Sequence, residues 1–305
     1  MSVIFTPSTT VYHPDVQPYI STSDYTSAPT AVDTTALIPG GSVAQNLMAL
    51  AIEIRSASSW ANNICDQILA ATLDTQMASG LLVRRDGTVR AVCDFWPVLE
   101  LDSFSAGSTP STLAAVSQTS DIWLKGRKVL VVPVSGLSGP SNQFTWPGPL
   151  LPGDRVYAQW SYWNGWPHST LAHAVAVTDT SVVVANTMPA ALAGRVMTIW
   201  DGVSTEQITI ASTFTGGTTL PIVGNPQFAH TLQTAPASTM VSTFADDIRK
   251  AVTCLTSALI KTRGAEAYEM DAIGQEPSKS ALIEGGGMED LSIAVDLLSF
   301  YRRAS

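Results

Sequence analysis

The sequence predicts an α+β chain in which a helical-bundle core, made of one long helix and two C-terminal helices with associated strands, carries an inserted small all-β domain. Three observations predict it. Apolar residues recur at steps of three and four through 42–69, and do so again through 244–259. Between these stretches, from about His173 to Val241, short β-branched runs are separated by turn residues at regular spacing. The chain thus divides into an extended N-terminal arm over 1–41, a first part of the core over 42–171, an inserted β-sandwich or barrel over 172–241, and a second part of the core with a tail over 242–305.

The arm spreads Pro7, Pro14, Pro18, Pro29 and Pro39 among Ser and Thr, so no helical period is possible. Val3, Ile4, Phe5, Val11, Tyr12, Tyr19, Ile20 and Tyr25 are too apolar for a solvated linker, and the arm is expected to lie on its own domain or on a neighbouring subunit. Gly40-Gly41-Ser42 then stops it. Ser42 and Gln45 have capping-box spacing, which opens the long helix. Leu47, Leu50, Ile54 and Ile64 lead its stripe, and a helix over 42–69 would reach roughly 40 Å. Arg85-Asp86-Gly87 reads as a turn between short strands, and a short helix is expected over 112–116. VLVVPVSG from Val129 is a buried-strand run, the stretch rich in Pro and Gly over 136–153 is a loop, and 155–163 alternates with Val156, Ala158, Trp160 and Tyr162 on one face. Asp201-Gly202 and Gly216-Gly217 are candidate hairpin turns. Ser242 or Thr243 caps the next helix, whose Ile248, Leu255 and Leu259 are expected to pack on the 42–69 stripe, with Gly264 as its stop. A Gly-rich tether over 272–287 leads to a short amphipathic helix around Leu291, Ala294, Leu297, Leu298 and Tyr301.

Composition narrows the function classes. The 305 residues suffice for two compact units, and 45% hydrophobic against 13% charged residues favours extensive burial within or between chains. With 25 acidic against 16 basic residues the formal net charge is −9, and no Lys/Arg cluster exceeds a pair, so counterion-release binding of nucleic acid has no footprint. The N-terminus lacks the pattern of a signal peptide, and no apolar run is long enough to span a membrane. Cys65, Cys93 and Cys254 are an odd number at wide spacing, which is neither a disulfide framework nor a zinc pattern.

No catalytic, cofactor or metal set is expected. Gly285-Gly286-Gly287 lacks the Lys-Ser/Thr of a P-loop, and G-x-S-x-G is absent. His13, His168, His173 and His230 are scattered, without a carboxylate or cysteine at ligand spacing. Glu266, Glu269 and Asp271 read as a solvated face. Trp146, Trp160, Trp163 and Trp166 crowd together, as fillers of a core or subunit interface or, alternatively, as the platform of a carbohydrate-binding β-module.

Taken in order, APTAVDTTALIPGGS, IRSASSWANNICDQILAATLDT, DFWPVLELDSFS and YWNGWPHSTLA resemble the head-to-tail adaptor (connector) proteins of tailed bacteriophages. MTIWDGVSTEQITIAS, IRKAVTCLTSALIKTRG and LLSFYRR are similar to segments of the actinobacteriophage-type variant with an inserted β-domain. The resemblance covers about 25–303. Trp163, Trp166 and the N-terminal arm depart from the pattern.

The resemblance implies a structural virion protein without enzymatic activity. It would be assembled in the host cytoplasm into a ring, usually of twelve subunits, beneath the portal protein. That ring would join the capsid to the next neck or tail protein, with double-stranded DNA passing non-specifically through its channel. By position the portal-binding residues would be Leu291, Leu297, Leu298, Phe300, Tyr301, Arg302 and Arg303. A neck stopper or another tail-associated structural protein is the alternative within the class.

Overall fold

β-Branched and aromatic residues, more than helix formers, decide the architecture. The computed structural model describes residues 4–5, 9–12, 18–116, 119–133, 150–232, 239–262 and 287–303. Gly264, the carboxylates Glu266, Glu269 and Asp271, the 272–286 tether, Trp146, His13 and most of the 136–153 loop lie outside the described residues. The chain divides into two units, one comprising Met1–Pro14 with Ala70–Trp166 and the other Asp15–Leu69 with Pro167–Ser305. That partition cuts across the four segments read from the sequence.

In the first unit β3 (Thr72–Leu82), β5 (Val98–Gly107) and β9 (Arg155–Asn164) form the middle of a six-stranded antiparallel sheet. The arm contributes β1 (Ile4–Phe5) and β2 (Thr9–Tyr12), both paired with β3. On the far side β5 pairs with β6 (Ala114–Ala115). The helix expected over 112–116 is instead a 3-10 turn at Pro110–Thr112 followed by β6, because ladder bonds to β5 satisfy that backbone. β9 buries the alternating residues the sequence marks, and Trp160 stacks on its register partner Phe104 at 6.1 Å. Beside it, β4 (Thr88–Val92), β8 (Val129–Pro133) and β7 (Trp123–Lys125) make a three-stranded sheet. The turn before β4 is the expected one. Gly87 sits at φ 70, and Asp86 Oδ1 accepts from the Thr88 amide at 3.1 Å and its hydroxyl at 2.6 Å.

The second unit contains β10 (His168–Thr170), β11 (Ser181–Met188), β12 (Val196–Trp200), β13 (Glu206–Thr209), β14 (Gly217–Pro221) and β15 (Met240–Ser242). They pair as β10-β15-β12-β13 and β11-β14 around Val182, Val184, Met197, Ile199, Ile208, Ile210 and Leu220. The Asp201-Gly202 turn joins β12 to β13 as the sequence predicts. Gly216-Gly217 lies in the connection between β13 and β14, whose ends meet antiparallel at Ile210 and Ile222. It opens β14, which pairs back to β11.

The same unit carries α1 (Thr22–Ser27), α2 (Val43–Cys65), α3 (Asp246–Lys261) and α4 (Gly287–Ser299). α1 corrects the reading of 1–41 as wholly extended, since Ser21 and Asp24 form a capping box there. The Ser42/Gln45 box opens α2, which ends at Asp66 in the left-handed conformation (φ 51) rather than running to Leu69. α3 begins after Ala245, with no side-chain cap from Ser242 or Thr243.

The expected helical-bundle core is corrected by this arrangement. Among the described residues, sheets of six, four, three and two strands dominate, and strands and their connections build the two extended apolar clusters around Trp160 and around Ile199. α2, α3 and α4 pack on one another, yet what α2 buries is mostly small, namely Ala49, Ala57, Ser58, Ala61 and Cys65 beside Leu50 and Ile54. Leu47 and Ile64 are only half-buried. On α3, Ile248 and Leu255 are buried and Leu259 is half-buried. Burial of apolar area scales with side-chain size, so Trp160, Tyr162, Phe104 and the branched residues of β11 to β14 outweigh an alanine-lined helix.

Candidate functional site

The surface of the second unit departs most from burial rules along α2 and at the end of α4. Asn46, in the first turns of α2, is buried. Its Oδ1 accepts from the Ile38 amide at 2.8 Å, and its Nδ2 donates to the Thr35 carbonyl at 2.6 Å. The loop before the helix is thereby folded onto it. Gly41 is required there, since a Cβ would meet Ile38 Cβ at 2.9 Å. The result is a groove of about 440 Å³ lined by Ile38, Ala44, Met48, Ala49 and Ile52, with Gln45 and Glu53 as its polar members. Met48 is 55% exposed, Ile52 63% and Val43 77%. The sequence reading missed this face because it placed α2 in the middle of a bundle. The i, i+4 pair Met48/Ile52 outside the main stripe is the signal that could have found it.

The segment expected to bind a portal is partly spent on its own chain. Leu298 and Ala294 are fully buried. Cys65 Sγ approaches the Leu298 carbonyl at 3.7 Å, Gln67 Nε2 donates to the Tyr301 carbonyl at 2.8 Å, and the Arg303 amide donates to the Cys65 carbonyl at 2.8 Å. Lys261 Nζ pairs with Asp290 Oδ2 at 2.7 Å, and Arg303 with Asp66 at 3.9 Å. Leu291, Leu297, Tyr301 and Arg303 are half-buried, whereas Phe300 and Arg302 are exposed, Phe300 by 77%.

No protein-family model, no curated protein and no solved structure matches the chain.

Two buried polar knots brace this unit, and neither was legible from spacing. His230 is fully buried between Asp201 Oδ2, 3.1 Å from Nδ1, and Glu206 Oε1, 2.7 Å from Nε2. Glu206 also accepts from the amides of Gln227 and Phe228 at 2.7 and 3.1 Å. Arg249 Nη2 pairs with Asp24 Oδ2 at 3.1 Å, and its guanidinium lies 3.5 Å over the Trp200 ring. His168 donates Nε2–H to the Pro18 carbonyl at 3.0 Å and stacks on Phe244; burial pushes its pKa down to about 4, so it is neutral. Among the described residues no three His, Cys, Asp or Glu side chains converge in a way that would hold a metal. Of the described tryptophans in that cluster, Trp160 is fully buried, Trp163 is 9% exposed, and Trp166 is half-buried with its ring edge-on to Trp96 at 5.9 Å, so these three form no open platform.

Proposed function

We propose that this chain is a structural virion protein, a head-to-tail adaptor whose copies form a ring beneath the portal and join the DNA-filled capsid to the neck or tail. The reading is supported by the ordered resemblance along about 25–303. The observation that carries it is the open apolar groove along α2. Val43, Met48 and Ile52 are all exposed along the first half of α2, beside the groove, and such a clustered apolar patch is characteristic of a protein interface. The protein works by shape and interface burial rather than by catalysis. Its acidic balance, −9 overall, suits a channel that repels the DNA backbone and lets a genome slide. Of the residues the resemblance assigns to portal docking, Phe300 and Arg302 are the solvent-exposed ones.

The test is the mass of the purified protein in solution, alone and with the candidate portal ring. A closed ring or a defined complex with the portal is expected. A monodisperse monomer that ignores the portal overturns the reading.

A further inference from the structure

Phe300 and the α2 groove belong to the same unit but to opposite ends of the same helix. Leu298 and Arg303 both bond to Cys65, in the last turn of α2, which places Phe300 there. The groove runs along Ala44–Glu53, in the first half. From Met48 to Cys65 the helix rises about 25 Å, at 1.5 Å per residue. No single side chain spans that distance, so a copy cannot fill its own groove with its own Phe300.

The two patches match in chemistry. The groove is apolar and has Glu53 in its lining, with the exposed Arg55 one turn beyond Ile52 on α2. Phe300 is a bare aromatic ring flanked by the exposed Arg302, with the exposed Asp296 one turn earlier. The socket side thus carries Glu53 and Arg55 and the plug side carries Arg302 and Asp296, so each side offers charges of both signs around its apolar centre. The socket's volume of about 440 Å³ accommodates a phenyl ring.

We propose that Phe300 of one copy inserts into the α2 groove of a second copy of this chain, head to tail. Because plug and socket are different surfaces, the contact is heterologous. Each copy filled at one end still offers the other, and repetition closes a ring or extends a chain. The contact rests on the ring-forming reading above and names the surfaces that make it.

The experiment uses the full chain with two single variants, Phe300→Ala, which keeps the socket, and Ile52→Glu, which keeps the plug. Both positions are exposed, so circular dichroism should show both folded. Sedimentation velocity is run on each variant alone, on their mixture, and on each with the portal ring. Each variant alone should assemble at least tenfold more weakly than the parent, Phe300→Trp should assemble like the parent, and the mixture should give one-to-one dimers and nothing larger. Assembly unchanged in both variants overturns the proposal. So does a Phe300→Ala variant that loses the portal but still self-assembles, which would place the portal at Phe300. Rings that form on the portal regardless of either substitution remove the plug while leaving the adaptor reading. Assembly that depends on both substitutions in a protein indifferent to the portal keeps the plug and removes the adaptor.

Discussion

Glu206 Oε1 lies 2.7 Å from His230 Nε2, and the ring it holds is completely buried. The same carboxylate receives the amides of Gln227 and Phe228, so one side chain on β13 pins a stretch of chain some twenty residues further on. Removing one member of a buried charge-assisted network leaves its partners desolvated. Glu206→Gln should therefore cost about 3 kcal/mol, read as a lower urea midpoint with an unchanged slope.

The same carboxylate sets a pH dependence. Burial alone raises the Glu206 pKa, but the Gln227 amide, the His230 ring and the Phe228 amide outweigh it and hold the group below its ordinary value of 4.5. A carboxyl depressed on folding contributes stability that is fully present above its unfolded value and is lost as pH falls through the folded one. The stability gap between parent and Glu206→Gln should thus be constant at neutral pH and shrink below pH 4.5. Unfolding midpoints measured across that range check it, and a gap that widens toward acid contradicts the assignment.

Asp24 and Arg249 join α1 to α3, with Trp200 of β12 under the guanidinium. Asp24→Asn keeps an acceptor for the Ser21 amide while removing the charge that Arg249 faces. It should destabilise by about 3 kcal/mol. Arg249→Met should cost less, because the Asp24 carboxylate it leaves behind still accepts from the Ser21 amide, and the double variant should be less destabilised than the sum of the two singles. A double-mutant cycle by chemical denaturation measures that coupling.

Burial pushes the thiols of Cys65 and Cys93 up to about 12, and both side chains are closed off from solvent. Cys254 is half-buried, and burial raises its thiol as well. An aromatic disulfide reagent at mild alkaline pH should modify Cys254 alone, and slowly. The other two should react only after unfolding.

Trp160 separates the interior reading of the tryptophans from the sugar-platform reading. It is fully buried on Phe104, so Trp160→Ala should cost about 3–5 kcal/mol by leaving a cavity. Thermal unfolding reads that loss. A variant that kept its stability and instead lost binding to a glycan array would place the ring on the surface.

Much of the local structure was legible before any tertiary information. The Ser42/Gln45 box, the Asp86-Gly87 turn, the alternation of β9 and the hairpin at Asp201-Gly202 each depend on residues within a few positions of one another. The candidate interface was only half legible. Phe300 and Arg302 were named for a partner, but Leu298 was too, and it proves to be sealed against its own helices. Asn46, which builds the groove by fastening Thr35 and Ile38, looked like any polar residue on a helix.

By itself the sequence determined the starts of the long helix and of the Asp86-Gly87 and Asp201-Gly202 turns, the alternation of β9, and that the interior would be apolar and the balance acidic. Those outcomes follow from periodicity, capping and composition, which act locally. Only the tertiary structure decided that the strands rather than the helices carry the cores, that β14 pairs along its length with β11 and meets β13 only at its end, and that His230 and Arg249 meet their carboxylates. Each of those depends on which distant segments bury the most area against each other, a competition between whole elements that no local pattern encodes.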